Sequence, residues 1–182
     1  MVFSHKTLFL GIISGILMII FLSGLIAAPL EVSASSGPVS NETNTCSLGA
    51  SYPQAIHSWC GWIEHYSRES GLDPKLIAAI MLQESGGSSQ AYSHSGAVGL
   101  MQVMPRDGIA ASFMCPNGPC FASRPSMEEL FDPEFNISYG VRMLAGLVNK
   151  YGNARDALKA YGPMDVGYYY ADLVLNIYQN YQ

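Results

Sequence analysis

Charge is scarce in this chain of 182 residues: Asp, Glu, Lys and Arg together make up 13%, and they gather into no run. The net charge is −5. Without a basic patch nothing can neutralise a phosphate backbone, the dominant contribution to nucleic-acid affinity, so nucleic acid is not an expected partner. The same deficit excludes steering to an anionic polymer by bulk charge, and any grip on one must come from a local groove. No C-x-x-C spacing occurs, and His57 and His94 are isolated histidines, so no metal site is expected. No segment repeats, and no stretch alternates in the two-residue rhythm of a strand. No cysteine precedes Cys46, which argues against a lipid anchor at the end of the N-terminal apolar segment.

Apolar residues, by contrast, make up 49% of the chain. Much of the excess lies at the start, where His5 and Lys6 precede a charge-free run from Leu8 to Ala28. A basic start, an apolar middle and the small-x-small triplet Val32-Ser33-Ala34 fit an export signal cleaved after Ala34, with a second candidate cut near Ala27-Ala28. A run of this length also fits an uncleaved anchor through residues 8–28, because roughly 20 apolar residues span a bilayer core. Both place the remainder outside the cytoplasm: a leader over 1–34, a Pro, Ser and Gly-rich linker over 35–50, and one domain over 51–182. Lys6 and Glu31 are the charged residues of that leader, so its removal leaves the net charge unchanged. All four cysteines follow it, and an even count in an exported chain reads as disulfides. The turn sequence in Cys115-Pro-Asn-Gly-Pro-Cys120 pairs its two ends, which leaves Cys46 for Cys60.

From about residue 50 onward the signals are helical. An apolar-periodic stretch runs from Gln54 to Ser67 and stops near Gly71. Asp73-Pro74 is an N-cap followed by proline at the first helical position. The helix it opens, Lys75 to Glu84, is apolar on every face and must be buried all round. Ser88 to Val98 is too rich in Ser and Gly to be helical, and Phe113 to Pro125 is irregular. Asp132-Pro133 starts a helix through Asn149, Asn153 caps a short one to Tyr161, and a last one runs from Asp165 to Tyr178. The expected fold is mainly α, a single domain with a long Gly/Ser loop beside a buried central helix.

Glu84 is out of place in such a helix. It lies in the last turn, where the negative end of the helix dipole opposes a carboxylate. Apolar neighbours add desolvation, and both effects raise its pKa. That is a poor arrangement for stability and a good one for a general acid working near neutral pH. Taken alone, the position fits equally a carboxylate turned outward into solvent.

Four blocks in order resolve that ambiguity: Leu82-Gln83-Glu84-Ser85, the Ser-x-x-Gly-Ala-x-Gly-Leu-Met-Gln-x-Met-Pro stretch from Ser93 to Pro105, Asn136-Ile137-Ser138-Tyr139-Gly140, and Ala157-Leu158-Lys159-Ala160-Tyr161. With them the chain, from Leu72 to Tyr178, resembles the soluble lytic transglycosylase family of the lysozyme-like superfamily, related to goose-type lysozymes. The resemblance implies a lysozyme-like domain acting on peptidoglycan glycan strands with Glu84 as acid and base. It implies that Ser93 and Gln102 supply hydrogen bonds in the cleft, that Met104 forms an apolar wall, and that Tyr161 brings its hydroxyl close to Glu84. Asn136 and Ser85 read as structural. Two positions depart from the family's pattern: Gly162 stands where asparagine usually follows the alanine-tyrosine pair, and Met143 where a tyrosine is common.

The usual glycosidase plan needs two carboxyl groups flanking the bond. Asp107, Glu128, Glu129, Asp132 and Asp165 are available, but none falls in a block that suggests a nucleophile. The expected route therefore uses one carboxyl group, a 1,6-anhydro-muramoyl product and no cofactor. Hydrolysis by water, as in a lysozyme, is the nearest alternative. A non-catalytic glycan-binding protein and a disulfide-held structural protein are more distant ones. The Tyr168-Tyr169-Tyr170 run reads as core and ordinary surface.

Overall fold

A computed structural model describes residues 46–181. The leader over 1–34 and most of the linker lie outside the described residues. Among the described residues seven α-helices run in chain order, α1 (Gln54–His57), α2 (Cys60–Ser70), α3 (Pro74–Ser85), α4 (Met127–Phe131), α5 (Pro133–Tyr151), α6 (Ala154–Tyr161) and α7 (Tyr169–Asn180), with a 3-10 turn at Gly108–Ser112 between α3 and α4. The fold is mainly α, as the sequence implies. No described helix is long and apolar enough to cross a membrane.

Among the described residues the central element is α3. Asp73 caps it by accepting the Lys75 N–H at 2.8 Å, Pro74 fills its first position, and Gly86 ends it in the left-handed conformation. Its residues Leu76 to Met81 are all buried. α7 lies along α3, α2 packs against both α3 and α5, and α6 bridges α5 and α7. An all-apolar helix is stable in water only inside such a jacket.

The chain departs from the expected elements in four places. The stretch from Gln54 is two helices, because the backbone turns at Trp59. That turn aims the Trp59 indole N–H at the Gly87 carbonyl, 2.9 Å away, and sets Cys60 against Cys46. The region without expected strands holds a small hairpin, β1 (Met114–Cys115) against β2 (Gly118–Pro119), closed by Cys115–Cys120 with a Cα separation of 5.0 Å. A short helix, α4, precedes α5; Ser126 and Glu129 form its capping box, each bonding the other's backbone N–H. α7 begins at Tyr169 and not at Asp165, since Asp165 and Gly167 take positive φ and turn the chain first. Both disulfides join the pairs expected from the sequence.

The long loop is irregular but closely tied. Val98 and Val103 exchange two backbone hydrogen bonds at 2.9 and 3.1 Å, and the Gly99 N–H reaches the Ala91 carbonyl at 2.8 Å. Asn136, fully buried on α5, accepts from the Met101 N–H at 2.8 Å and donates to the carbonyls of Val98 and Leu130. One turn along α5, a Cβ on Gly140 would stand 2.6 Å from the Met101 Cβ. Only glycine lets the loop lie this close to the helix. The Asn136–Gly140 block is therefore a docking strip for the loop.

Candidate active site

Glu84 stands in the last turn of α3, where the loop crosses the helix end. The next residue, Ser85, makes that junction: its hydroxyl donates to the Leu100 carbonyl at 2.9 Å and accepts from the Gly87 N–H at 3.2 Å. The Glu84 Oε1 accepts from the Tyr170 hydroxyl at 2.5 Å. Burial pushes the Glu84 carboxyl up to about 7, and the Tyr170 hydrogen bond pulls it partly back. The Tyr170 hydroxyl in turn is driven well above its ordinary value by burial and by the charge of Glu84. A carboxyl group at this level is both acid and base near neutrality.

Tyr170, the third of three adjacent tyrosines that the sequence reads as core and ordinary surface, is the hydrogen-bond partner that reading missed. The late start of α7 turns it inward, and Tyr178, eight residues on, reaches α3 from the same helix through Asp73 Oδ2 at 2.8 Å. Gly162 is its structural counterpart. A Cβ there would stand 2.3 Å from Tyr170 Cδ1 and 2.4 Å from Cγ. The missing side chain is the space the Tyr170 ring occupies.

The Tyr161 hydroxyl donates to the Met101 carbonyl at 2.8 Å, not to Glu84. It remains within the field of Glu84, whose charge adds to burial in raising it. Gln102 takes the left-handed conformation, φ 46°, uncommon for a residue with a side chain and typical of functional loops. Its amide donates to the carbonyls of Gly99 and Ala91 at 3.0 and 3.3 Å. The Ser93 hydroxyl accepts from the Ala97 N–H at 2.8 Å. Both side chains thus brace the loop, and neither bonds Glu84. Met104 is half-buried beside them in sequence.

The other candidate carboxylates are either bonded elsewhere or exposed. Asp107 accepts from the Met127 N–H, Glu129 closes its capping box and meets Arg106, and Asp132 caps α5. Glu128 and Asp165 are exposed. Burial and Tyr170 are the causes of the Glu84 shift, with no second carboxylate among them. Among the described residues no group of His, Cys, Asp and Glu could hold a metal.

A buried central helix ending in one carboxyl group, with a braced loop across its end, is the lysozyme-like arrangement expected from the sequence. The chain belongs to the transglycosylase SLT domain family, whose sequence profile matches residues 61–166. It is 31% identical over 135 residues to membrane-bound lytic murein transglycosylase E of Buchnera aphidicola subsp. Baizongia pistaciae, covering 74% of this chain and 59% of that one. It is 39% identical over 95 residues to membrane-bound lytic murein transglycosylase C of Sodalis glossinidius, covering 52% and 26%. The chain thus spans 59% or less of the length of these two relatives. An X-ray structure of an inactive mutant of lytic transglycosylase Slt from Pseudomonas aeruginosa shares the fold, with a TM-score of 0.51 and 23% identity over 70% of this chain and 24% of that one.

Proposed function

We propose that this chain is a peptidoglycan lytic transglycosylase in which Glu84 acts first as general acid and then as general base. The observation that carries the reading is one carboxyl group, pushed to about 7 by burial, with a tyrosine hydroxyl as its hydrogen-bond partner. Protonated Glu84 gives its proton to the glycosidic oxygen between N-acetylmuramic acid and N-acetylglucosamine, and the C1–O bond breaks. The carbonyl oxygen of the 2-acetamido group shields the positive charge at C1, replacing the second carboxylate of the usual plan. Ionised Glu84 then takes the proton of the muramic 6-hydroxyl as that oxygen bonds to C1. The 1,6-anhydro ring forms, and Glu84 is protonated again for the next cycle. No cofactor enters.

Tyr170 holds Oε1, which leaves Oε2 to serve the substrate. Ser93, Gln102 and Met104 shape the loop wall of the cleft, and Tyr161 ties that wall to α6 through Met101. The two disulfides support work in an oxidising compartment, and the murein-acting names of the relatives point to the cell envelope.

Mass spectrometry of digested sacculi tests the reading. Products lighter by one water than their hydrolysed counterparts are expected, and Glu84→Gln abolishes them while still binding glycan. Hydrated reducing ends throughout would make the chain a hydrolase, and full activity in Glu84→Gln would sink the catalytic assignment.

A further inference from the structure

With a net charge of −5, the chain has no bulk attraction for an anionic wall polymer. Arg124 offers a local one. Arg106 and Arg155 each face a carboxylate, Glu129 at 3.3 Å and Asp172 at 2.9 Å. Arg124 faces none among the described residues. Its side chain is half-buried, Nη1 meets the Met143 sulfur, and its Cζ lies 6.0 Å from the ring centroids of both Phe121 and Tyr139. A thioether is a weak acceptor and aromatic faces accept none of the directed N–H bonds. Most of the guanidinium fork is left for something else.

Its place is fixed and close to the site. The Arg124 N–H bonds the Phe121 carbonyl at 2.9 Å, while Arg106 bonds the carbonyls of Arg124 and Pro125 at 3.3 and 2.9 Å. Met143 and Tyr139 are one turn apart on α5, flanking Gly140, where the loop docks. Tyr161 lies within reach of both charges: Glu84 raises its hydroxyl and Arg124 lowers it. Arg124 is not among the groups that shift Glu84, so it leaves the acid unneutralised.

We propose that Arg124 is an anion subsite of the cleft, taking a carboxylate carried on the lactyl arm of a muramic residue. The planar fork matches a carboxylate with two parallel hydrogen bonds, and the Phe121 and Tyr139 rings lie beside it. The proposal rests on the glycan reading of the Glu84 site and adds to it which sugar the cleft selects. The carboxylate has two sources: the free lactyl acid of a peptide-free strand, or an acid of the stem peptide.

Calorimetric titration of the Glu84→Gln protein, with and without Arg124→Gln, separates them. Three probes serve: a neutral chitooligosaccharide, a peptide-free GlcNAc–MurNAc oligomer and its peptide-bearing counterpart. Arg124→Gln is expected to weaken a carboxylate-bearing probe about ten-fold or more and to flatten its salt dependence, with chitooligosaccharide binding unchanged. Arg124→Lys, which keeps the charge without the fork, should fall between. A loss on the peptide-free oligomer assigns the lactyl acid, and a loss confined to the peptide-bearing one assigns the stem. Equal losses on all three probes, or none on any, would overturn the subsite. If no probe binds the Glu84→Gln protein at all, the glycan reading fails and takes the subsite with it.

Discussion

Two carboxyl groups stand at opposite ends of α3, and each takes a tyrosine hydroxyl from the same helix. At the N-terminal end Asp73 accepts the Lys75 N–H and the hydroxyl of Tyr178. At the C-terminal end Glu84 accepts the hydroxyl of Tyr170. The bonds are alike, but the surroundings are opposite. Asp73 is exposed, bonds a free backbone N–H and faces the positive end of the helix dipole, where a negative charge stabilises the fold. Glu84 faces the negative end with no backbone donor, inside an apolar jacket that favours its proton. One acid fastens the helix, and the other is held at a cost that chemistry can use.

The sharpest way to break this contrast is to remove the carboxyl group that carries it. Glu84→Gln should lower glycan cleavage by about 10²- to 10⁴-fold, the range expected for a general acid, as read by release of soluble muropeptides. Disturbing its partner comes next. Gly162→Asn pushes the Tyr170 ring away and Tyr170→Phe removes only the hydroxyl, so both should cost about ten-fold, in line with a hydrogen bond to a charged group. Because that bond lowers the Glu84 pKa, its loss should also move the pH–activity profile toward alkali from about 7. A profile unmoved in Tyr170→Phe would make the tyrosine mere packing.

Stability should show the opposite sign. A carboxyl group raised from 4.5 to about 7 contributes nothing where both states are protonated, then costs stability as pH climbs through that window. The full shift is worth about 3 kcal/mol, reduced by partial exposure to about 2 kcal/mol. Glu84→Gln should therefore melt about 5 °C above the wild type at pH 8 and level with it near pH 4, by thermal denaturation. The smallest effect belongs to the other end of the helix. Asp73→Ala should cost about 1 kcal/mol, the worth of an N-cap, and leave the pH–activity profile in place.

What the sequence makes legible follows from the range of the forces involved. Asp73-Pro74, Asp132-Pro133, Asn153 and the glycines after each helix act within one turn, and the structure places those helices accordingly. The all-apolar run of α3 announces its burial in the same way. The capping box of Ser126 and Glu129 is equally local, and its pattern is there to be read. Tyr170 is different, because its bond to Glu84 spans 86 residues and depends on where α7 starts. The turn through Asp165 and Gly167 sets that start, and the vacancy at Gly162 has meaning only once the ring is in it. The break at Trp59 likewise answers a carbonyl 28 residues away.

Asn136 has one more consequence, for how the domain breathes. An irregular Ser/Gly-rich segment normally opens easily and exchanges its amide hydrogens early. Here the amides of Val98, Met101 and Val103 are bonded to one another's carbonyls or to the buried Asn136 side chain, against helix α5. Their hydrogens should exchange with deuterium as slowly as those of α3, and only when the whole domain unfolds. The loop should then open together with the central helix as one cooperative unit, its shape set by its bonds to α5 and not by a bound ligand.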